Sequence, residues 1–275
     1  MKIAIVGASG FIGRELCKEI NKIKTLKITA AYNKNKPNIT NIKFVKLNVK
    51  KKKNYFKILR KPDLLIHLAW SGLENYNDDS HLKKILPAHK TFLKEIIKRG
   101  LKNLVVIGTC YEYGKNSKIL RENMRIKPII NYAIAKNNLR IYLNKLKKKY
   151  KFNLTWLRVF YIYGYNHNRK TLTNLLIESH KNKKELIINN KIKRDFLSVK
   201  DAAKFILAVS LKKKNLGIVN ICSGKSISMK ELINFISKSL NIRPVVKYGN
   251  FKLNRNFEAI NFYGDNYKLN KILNF

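Results

Sequence analysis

Short apolar runs alternate along the chain with longer stretches in which apolar residues recur every three or four positions. Residues 2–7, KIAIVG, form an apolar run closed by glycine, the pattern of a strand buried on both faces. FIGRELCKEINK (11–22) then carries Phe11, Ile12, Leu16 and Ile20 on one helical face. Further strands are predicted over 26–32, 42–49, 63–70, 101–109 and 153–164, and helices over 81–99 and 131–149. This alternation predicts an α/β fold, a doubly wound parallel sheet with helices on both faces. After Gly164 the alternation loosens. LTNLLIESHKN, ELIIN, RDFLSVKDAAKFILAVSL, GIVNICSG and SMKELINFISKSL follow in turn. The reading is a main domain over 1–164 and a smaller lobe over 165–275 interleaved with the main sheet.

Composition changes this picture little. The chain has 275 residues and is 45% hydrophobic, enough to bury a sizeable core. Its net charge of +43 suggests nucleic acid at first. Of the 59 basic residues only 11 are arginine, however, and base readers favour arginine. Lysine, asparagine and isoleucine are enriched throughout, so the charge reads as compositional bias, and specific nucleic-acid binding is not expected. The lysine run at 50–53 reads as a solvated loop. Cys17, Cys110 and Cys222 form no metal spacing and no even framework, which fits a reducing cytoplasm. No membrane-length apolar stretch and no signal-type leader is expected.

The chemistry begins at GASGFIG (7–13), where the first strand gives way to the first helix. Gly7 permits the tight turn, Gly10 admits a pyrophosphate close to the backbone, and Gly13 allows helix and strand to pack closely. Ser9, Phe11 and Ile12 share this turn, and the helix N-terminus offers free N–H groups to phosphate. A Rossmann-type NAD(P) site is therefore expected. The second strand ends in AAYNKNK (30–36), with no acidic residue to hold a ribose hydroxyl. Asn33 and Lys34 stand there instead and tilt the expectation slightly toward NADP(H). No metal is implied, and His67, alone in an apolar strand, reads as a core residue.

Downstream, the fifth strand ends in GTCYEYG (108–114), and YAIAK (132–136) opens the next helix. Tyr132 and Lys136 lie one turn apart on one face. A lysine ammonium there would lower the tyrosine pKa and fit it for proton exchange with a substrate oxygen. Thr109 could bond the same oxygen.

In this order and spacing, GASGFIG, HLAW (67–70), GTCYEYG, YAIAK, LRVFYIYG (157–164), RDFLSVKDAA (194–203) and NICSGKSIS (220–228) resemble the extended short-chain dehydrogenase/reductases, specifically the NAD-dependent epimerase/dehydratase family acting on nucleotide sugars. The resemblance covers nearly the whole chain. It implies Gly7, Gly10 and Gly13 at the pyrophosphate, Leu68 and Ala69 on the nicotinamide side, and Lys136 on the nicotinamide ribose. Asn48 stands where relatives use an aspartate for adenine. The implied catalytic set is Thr109, Tyr132 and Lys136. Arg194 matches a diphosphate-binding arginine of the family, and Tyr161 stands at its substrate-contact position. Read from the residues themselves, Trp70 is a wall of the sugar site or core filling, Cys110 a pocket-lining residue or reactive thiol, and Glu112 a sugar contact or second acid against a surface or loop role. Tyr161 replaces the asparagine of many relatives. Cys110 and Tyr111 replace the Asp-Glu pair of dehydratases, which argues against that branch. The closest likeness is to nucleotide-sugar 4-ketoreductases of the dTDP-4-keto-6-deoxyhexose reductase and dTDP-6-deoxytalose dehydrogenase type. A homodimer through helices 81–99 and 131–149 is also implied. An epimerase that retains its cofactor is the alternative enzyme, and a non-catalytic cofactor sensor the alternative class. A sensor is expected to lack Tyr132 or Lys136, and both are present.

Overall fold

The computed structural model describes residues 1–51, 54–116, 118–165, 171–249 and 259–274. Lys52 and Lys53 of the lysine run lie outside the described residues. Seven strands form the main sheet: β1 (Lys2–Val6), β2 (Lys27–Tyr32), β3 (Lys43–Lys46), β4 (Leu64–His67), β5 (Asn103–Thr109), β6 (Asn153–Val159) and β7 (Gly217–Ile221). Their order is β7-β6-β5-β4-β1-β2-β3, and all neighbours run parallel. The chain winds outward from β1 through β2 and β3, then returns to β4 on the other side of β1. The carboxyl ends of β1 and β4 thus flank the switch point, the crevice where such sheets bind ligands.

Alternation within each strand builds two layers. Ile3 and Ile5 point to the side covered by α1 (Phe11–Ile20) and α5 (Val199–Leu211), where they meet Leu16, Ile20, Ala202 and Ile206. Ala4 and Val6 point to the other side, against Phe92 and Ile96 of α2 (Leu86–Lys98) and Leu139 and Leu143 of α3 (Asn131–Lys149). The remaining long helices, α4 (Leu172–Asn182) and α6 (Met229–Leu240), enclose a small separate core of Leu176, Leu232, Ile233 and Ile236.

Three elements differ from the sequence expectation. The helix predicted over 81–99 opens as a π-turn at His81–Ile85, and the α ladder restarts at Leu86. Pro87 has no N–H to carry the ladder through. The strand predicted over 153–164 ends at Val159. Phe160 N bonds Ile221 O at 3.0 Å, and Tyr161–Tyr163 then leaves the main sheet to pair with Phe196–Ser198. Finally, β7 and α5 fall within 165–275 yet belong to the main layers, α5 packing directly on α1. The chain boundary at 164 is therefore not a boundary in space. Buried Asp195 fastens the lobe to the sheet edge by accepting from the N–H groups of Ser223 (2.7 Å), Gly224 (3.0 Å) and Gly264 (3.1 Å).

A second buried carboxylate fixes the end of β5. Glu112 sits in the 3-10 turn Cys110–Tyr113 with its side chain fully enclosed. Its Oε1 accepts from Thr109 N (3.0 Å) and Trp156 Nε1 (2.9 Å), and its Oε2 from Arg158 Nε (3.0 Å). Arg158 is only 1% exposed and also lies over the Tyr113 ring at 4.4 Å. Gly108 leaves room for this assembly, since a Cβ there would collide with Glu112 Oε1 and the Trp156 indole. The expectation that Glu112 touches a sugar is thus corrected: its carboxylate is spent on the scaffold. Removing one partner from a buried pair strands the other charge. Glu112→Gln should cost about 3 kcal/mol, read as a lower denaturant midpoint at unchanged m-value. A loss below about 1 kcal/mol, the size of an exposed pair, would mean the pair is not holding the turn.

Candidate active site

The glycine turn takes the form its spacing requires. A Cβ on Gly13 would overlap Gly7 O, and one on Gly7 (φ +99) would strike Ala69 N. Both glycines therefore hold strand, helix and the β4 end in close contact. Gly10 is exposed, and a Cβ there would meet only Gly7 O. It is also the N-cap of α1 and brings no side chain to the first-turn N–H groups of Phe11, Ile12 and Gly13. A helix N-terminus so left, over an open glycine, fits the pyrophosphate of a dinucleotide. Ser9 lies beside it, its carbonyl accepting from Arg14 Nε at 3.1 Å. Leu68 N bonds Val6 O at 2.8 Å and carries Leu68 and Ala69 to the switch point.

Farther along the edge, Asn33, Lys46, Asn48, Lys51 and Tyr55 line one recess beyond β2 and β3. Asn33 and Asn48 are thus brought together at one recess. Lys34 is exposed and does not line the recess. Its basic residues are instead Lys46 and Lys51, at positions where nothing in the local pattern marked them.

The catalytic set assembles across β5 and α3. Thr109 ends β5, its hydroxyl accepting from Tyr111 N at 3.3 Å and standing near enough to the Tyr132 phenol to offset part of the rise in its pKa. Lys136 is buried, donates from Nζ to Ile107 O at 2.7 Å, and sits 5.8 Å from the Tyr132 ring centroid. Burial pulls the Lys136 pKa down to about 7, with the Glu112 charge opposing. Tyr132 goes the other way. Burial raises its pKa, Tyr76, Glu112 and Cys110 raise it further, and the Thr109 bond offsets part of the rise. A depressed tyrosine pKa was expected from the neighbouring ammonium. In this structure the ammonium points at Ile107 O and desolvation dominates. Tyr132 is a neutral phenol, a proton donor.

Around the phenol lies a run of aromatic rings. Tyr76 stacks on Tyr132 at 5.3 Å, Tyr111 meets Tyr76 at 5.4 Å, and Tyr161 meets Tyr111 at 5.9 Å. Trp70 touches Tyr132 edge-on at 6.0 Å. Trp70, Tyr76, Tyr111 and Tyr161 are all half-buried and so partly open to the cleft. Backbone bonding carries the loop over the catalytic helix, Tyr132 N donating to Tyr76 O at 2.9 Å. Tyr76 and Tyr111 carried no strong sequence signal, because only folding places them beside Tyr132.

Cys110 is 5% exposed and packs with Tyr113, Leu120, Phe160 and Cys222, yet acts on Tyr132 closely enough to raise that phenol's pKa. One further expectation changes. Arg194 is 2% exposed. Its Nη1 donates to the carbonyls of Lys193 and Ile260, and its guanidinium lies 4.7 Å from the Phe262 ring centroid and 5.8 Å from that of Tyr161. As found, it braces the lobe. His67 is buried and bonded through Nε2 to His89 Nδ1 at 2.8 Å. Burial takes His67 down to about 3, so the ring is neutral. Among the described residues no cluster of three or more His, Cys, Asp or Glu side chains could hold a metal. Among them, too, no helix is long and apolar enough to cross a membrane.

The family model described as NAD dependent epimerase/dehydratase matches residues 3–222. The dTDP-6-deoxy-L-talose 4-dehydrogenase (NAD(+)) of Aggregatibacter actinomycetemcomitans is 28% identical over 271 residues, covering 96% of this chain and 99% of the relative. The GDP-6-deoxy-D-talose 4-dehydrogenase of the same organism is 25% identical, covering 86% of this chain and 79% of the relative. Among solved structures, the UDP-glucuronic acid 4-epimerase of Bacillus cereus, in complex with UDP-glucuronic acid and NAD, superposes with a TM-score of 0.83. It is 20% identical and covers 100% of this chain and 93% of that one. With the glycine cradle at the switch point and Thr109, Tyr132 and Lys136 gathered at the same edge, these matches establish that the chain belongs to the NAD-dependent epimerase/dehydratase family and is an enzyme of the extended short-chain dehydrogenase/reductase type.

Proposed function

We propose that the enzyme reduces the 4-keto group of a nucleotide-linked 6-deoxyhexose, with dTDP as the nucleotide, in the synthesis of surface polysaccharide. The observation that carries this reading is the gathering of Thr109, Tyr132 and Lys136 at the carboxyl edge of the sheet that also carries the glycine turn, with Tyr132 one helical turn from Lys136. Reduction of a ketone needs a proton donor at the carbonyl oxygen; a neutral phenol holds that proton, and the charge developing on the oxygen, with Lys136 alongside, must draw it out against the raised pKa. The bound nicotinamide would supply the hydride. Thr109 would orient the carbonyl, and Tyr132 would give up its proton as charge develops on the oxygen. Lys136, with one N–H spent on Ile107 O, keeps two for the nicotinamide ribose and steadies the resulting phenolate. The half-open rings of Trp70, Tyr76, Tyr111 and Tyr161 offer an apolar wall that suits the methyl group of a deoxysugar. The two relatives named above act on 6-deoxyhexoses, which supports the substrate class. For the cofactor, Lys46, Lys51 and Asn33 favour a 2′-phosphate, while the first relative is named for NAD(+).

The test is a panel of nucleotide 4-keto-6-deoxyhexoses offered with NADH or NADPH, followed by the loss of reduced-cofactor absorbance. Consumption of cofactor in proportion to ketosugar supports the reductase. Sugar isomerisation with no net cofactor consumption would show an epimerase instead. Tyr132→Phe should cut turnover by roughly 10²–10⁴-fold while leaving cofactor affinity nearly unchanged. Unaltered turnover in that variant would sink the mechanism.

We also propose a homodimer through α2 and α3. Within one chain their apolar stripes are already largely consumed, Phe92, Leu93, Ile96, Leu139 and Leu143 being buried. Ile141, 40% exposed, and half-buried Tyr142 are what the pair leaves for a partner, beside Lys90, Lys94 and Lys98. Pairing this face with its copy sets like charges together, so assembly should strengthen as salt screens them. Light scattering should give twice the monomer mass in 0.3 M salt (about a 5–6 Å Debye length) and less at low salt. A monomer at both would reject the dimer.

A further inference from the structure

Lys136 is a buried cation supported by little that is polar. Among the described residues its hydrogen bond is to Ile107 O. The nearby carboxylate, Glu112, is already shared among Thr109, Trp156 and Arg158. What lies against the ammonium is an aromatic face: Lys136 Nζ stands 4.2 Å from the Trp70 ring centroid, closer than the 5.8 Å to Tyr132. Indole has the strongest ring quadrupole among the side chains, and the attraction grows where water is excluded.

The indole is held in that place from two sides. Its Nε1–H donates to His81 Nδ1 at 3.1 Å. His81 Nδ1 must then be an acceptor, so the ring proton sits on Nε2 and is donated to Asn75 O at 3.0 Å. His81 is fully buried, placed by the π-turn that Pro87 terminates. His89 stacks nearly parallel on the same indole, at 4.7 Å and 14°, and is itself pinned by the 2.8 Å bond to His67. Two histidines, from the π-turn and α2, thus hold one tryptophan, His67 of β4 fixing the second of them, and none of the three belongs to the proton-transfer set.

We propose that Trp70 is a positioning residue for the reaction: its indole face, fixed by His81 and His89, keeps Lys136 in its charged form and aimed toward the cofactor. This rests on the reading of Lys136 as the cofactor's ribose ligand. Burial draws the Lys136 pKa to about 7, where a small loss of cation stabilisation discharges it in the working pH range. The other groups facing it do not replace the indole. His67 and His89 are buried with lowered pKa values and are neutral, and Tyr132 is a phenol. Glu112 faces Lys136 from the turn after β5 with its charge engaged by Arg158 of β6, and Arg140 lies one turn along α3.

The test is reduced-cofactor binding, followed by NADH or NADPH fluorescence across the pH range bracketing 7, with no sugar present. It therefore stands apart from the ketosugar panel. Native protein should lose affinity as pH rises and Lys136 discharges. Trp70→Met, of flexible apolar bulk but without a quadrupole, should move that loss down by roughly one pH unit, weakening binding up to about tenfold above the native midpoint. Trp70→Phe keeps a ring face and should move it by clearly less. Unfolding midpoints identify variants that fold. A folded Trp70→Met with the native pH dependence, or Phe and Met variants that shift equally, would overturn the proposal and leave Trp70 a packing residue. A Lys136→Met protein that retained the native pH dependence would overturn the reading beneath it as well.

Discussion

The site depends on one enclosed carboxylate. Glu112 ties the end of β5, through Thr109 N, to the middle of β6, more than forty residues on, through Trp156 and Arg158. Burying a charge without partners costs several kcal/mol, so this arrangement persists only because every near donor is supplied. The consequence is positional. Thr109 cannot drift while its N–H is held, and its hydroxyl is what meets Tyr132. The Glu112 charge also acts at a distance, raising the pKa of Tyr132 and opposing the fall in that of Lys136. One side chain that contacts no substrate thus biases both proton-handling groups toward their protonated forms.

Burial supplies the opposing influence. Lys136 and Tyr132 lie in the same dry environment, and desolvation favours the neutral form of each. For the tyrosine this keeps the phenol protonated. For the lysine it removes the charge that the phenolate and the ribose need. The two demands conflict at a single locus, and a weakly hydrated aromatic face resolves them without adding a second carboxylate, which would push the tyrosine further up. The overall charge of +43 acts on a different scale: it attracts any anionic ligand and is screened within about 8 Å at physiological salt.

Much of the fold was legible because its signals are local. The run KIAIVG, the glycines at 7, 10 and 13 and the pair Tyr132–Lys136 each lie within one element, and spacing alone carries their meaning. What escaped was non-local or exceptional. Glu112 read as a cleft residue because its partner Arg158 is 46 positions away, on another strand. The break after Val159 follows from a bond between Phe160 N and β7, which an apolar run cannot announce. Asn33 and Asn48, singled out in the sequence, line one recess, yet Lys46 and Lys51 beside them were hidden among 48 lysines by the composition itself.

The π-turn at His81–Ile85 shows how an exception to periodicity can be functional. A continuous α-helix from His81 would place His81 and His89 eight residues and just over two turns apart, about 80° off a common face. The wider turn changes that register, and both imidazoles reach the one indole, through a hydrogen bond from Trp70 in one case and a stack in the other. Pro87 makes the irregularity cheap, because it has no N–H to satisfy where the ladder changes step. The same loop then passes over α3, giving Tyr76 O to Tyr132 N and Asn77 O to Asn131 Nδ2 at 2.7 Å. The segment from Trp70 to His89 therefore grips the catalytic helix at both its backbone start and its lysine. Substrate selectivity and proton chemistry are built on one stretch of chain, so changes in that loop should move the two together.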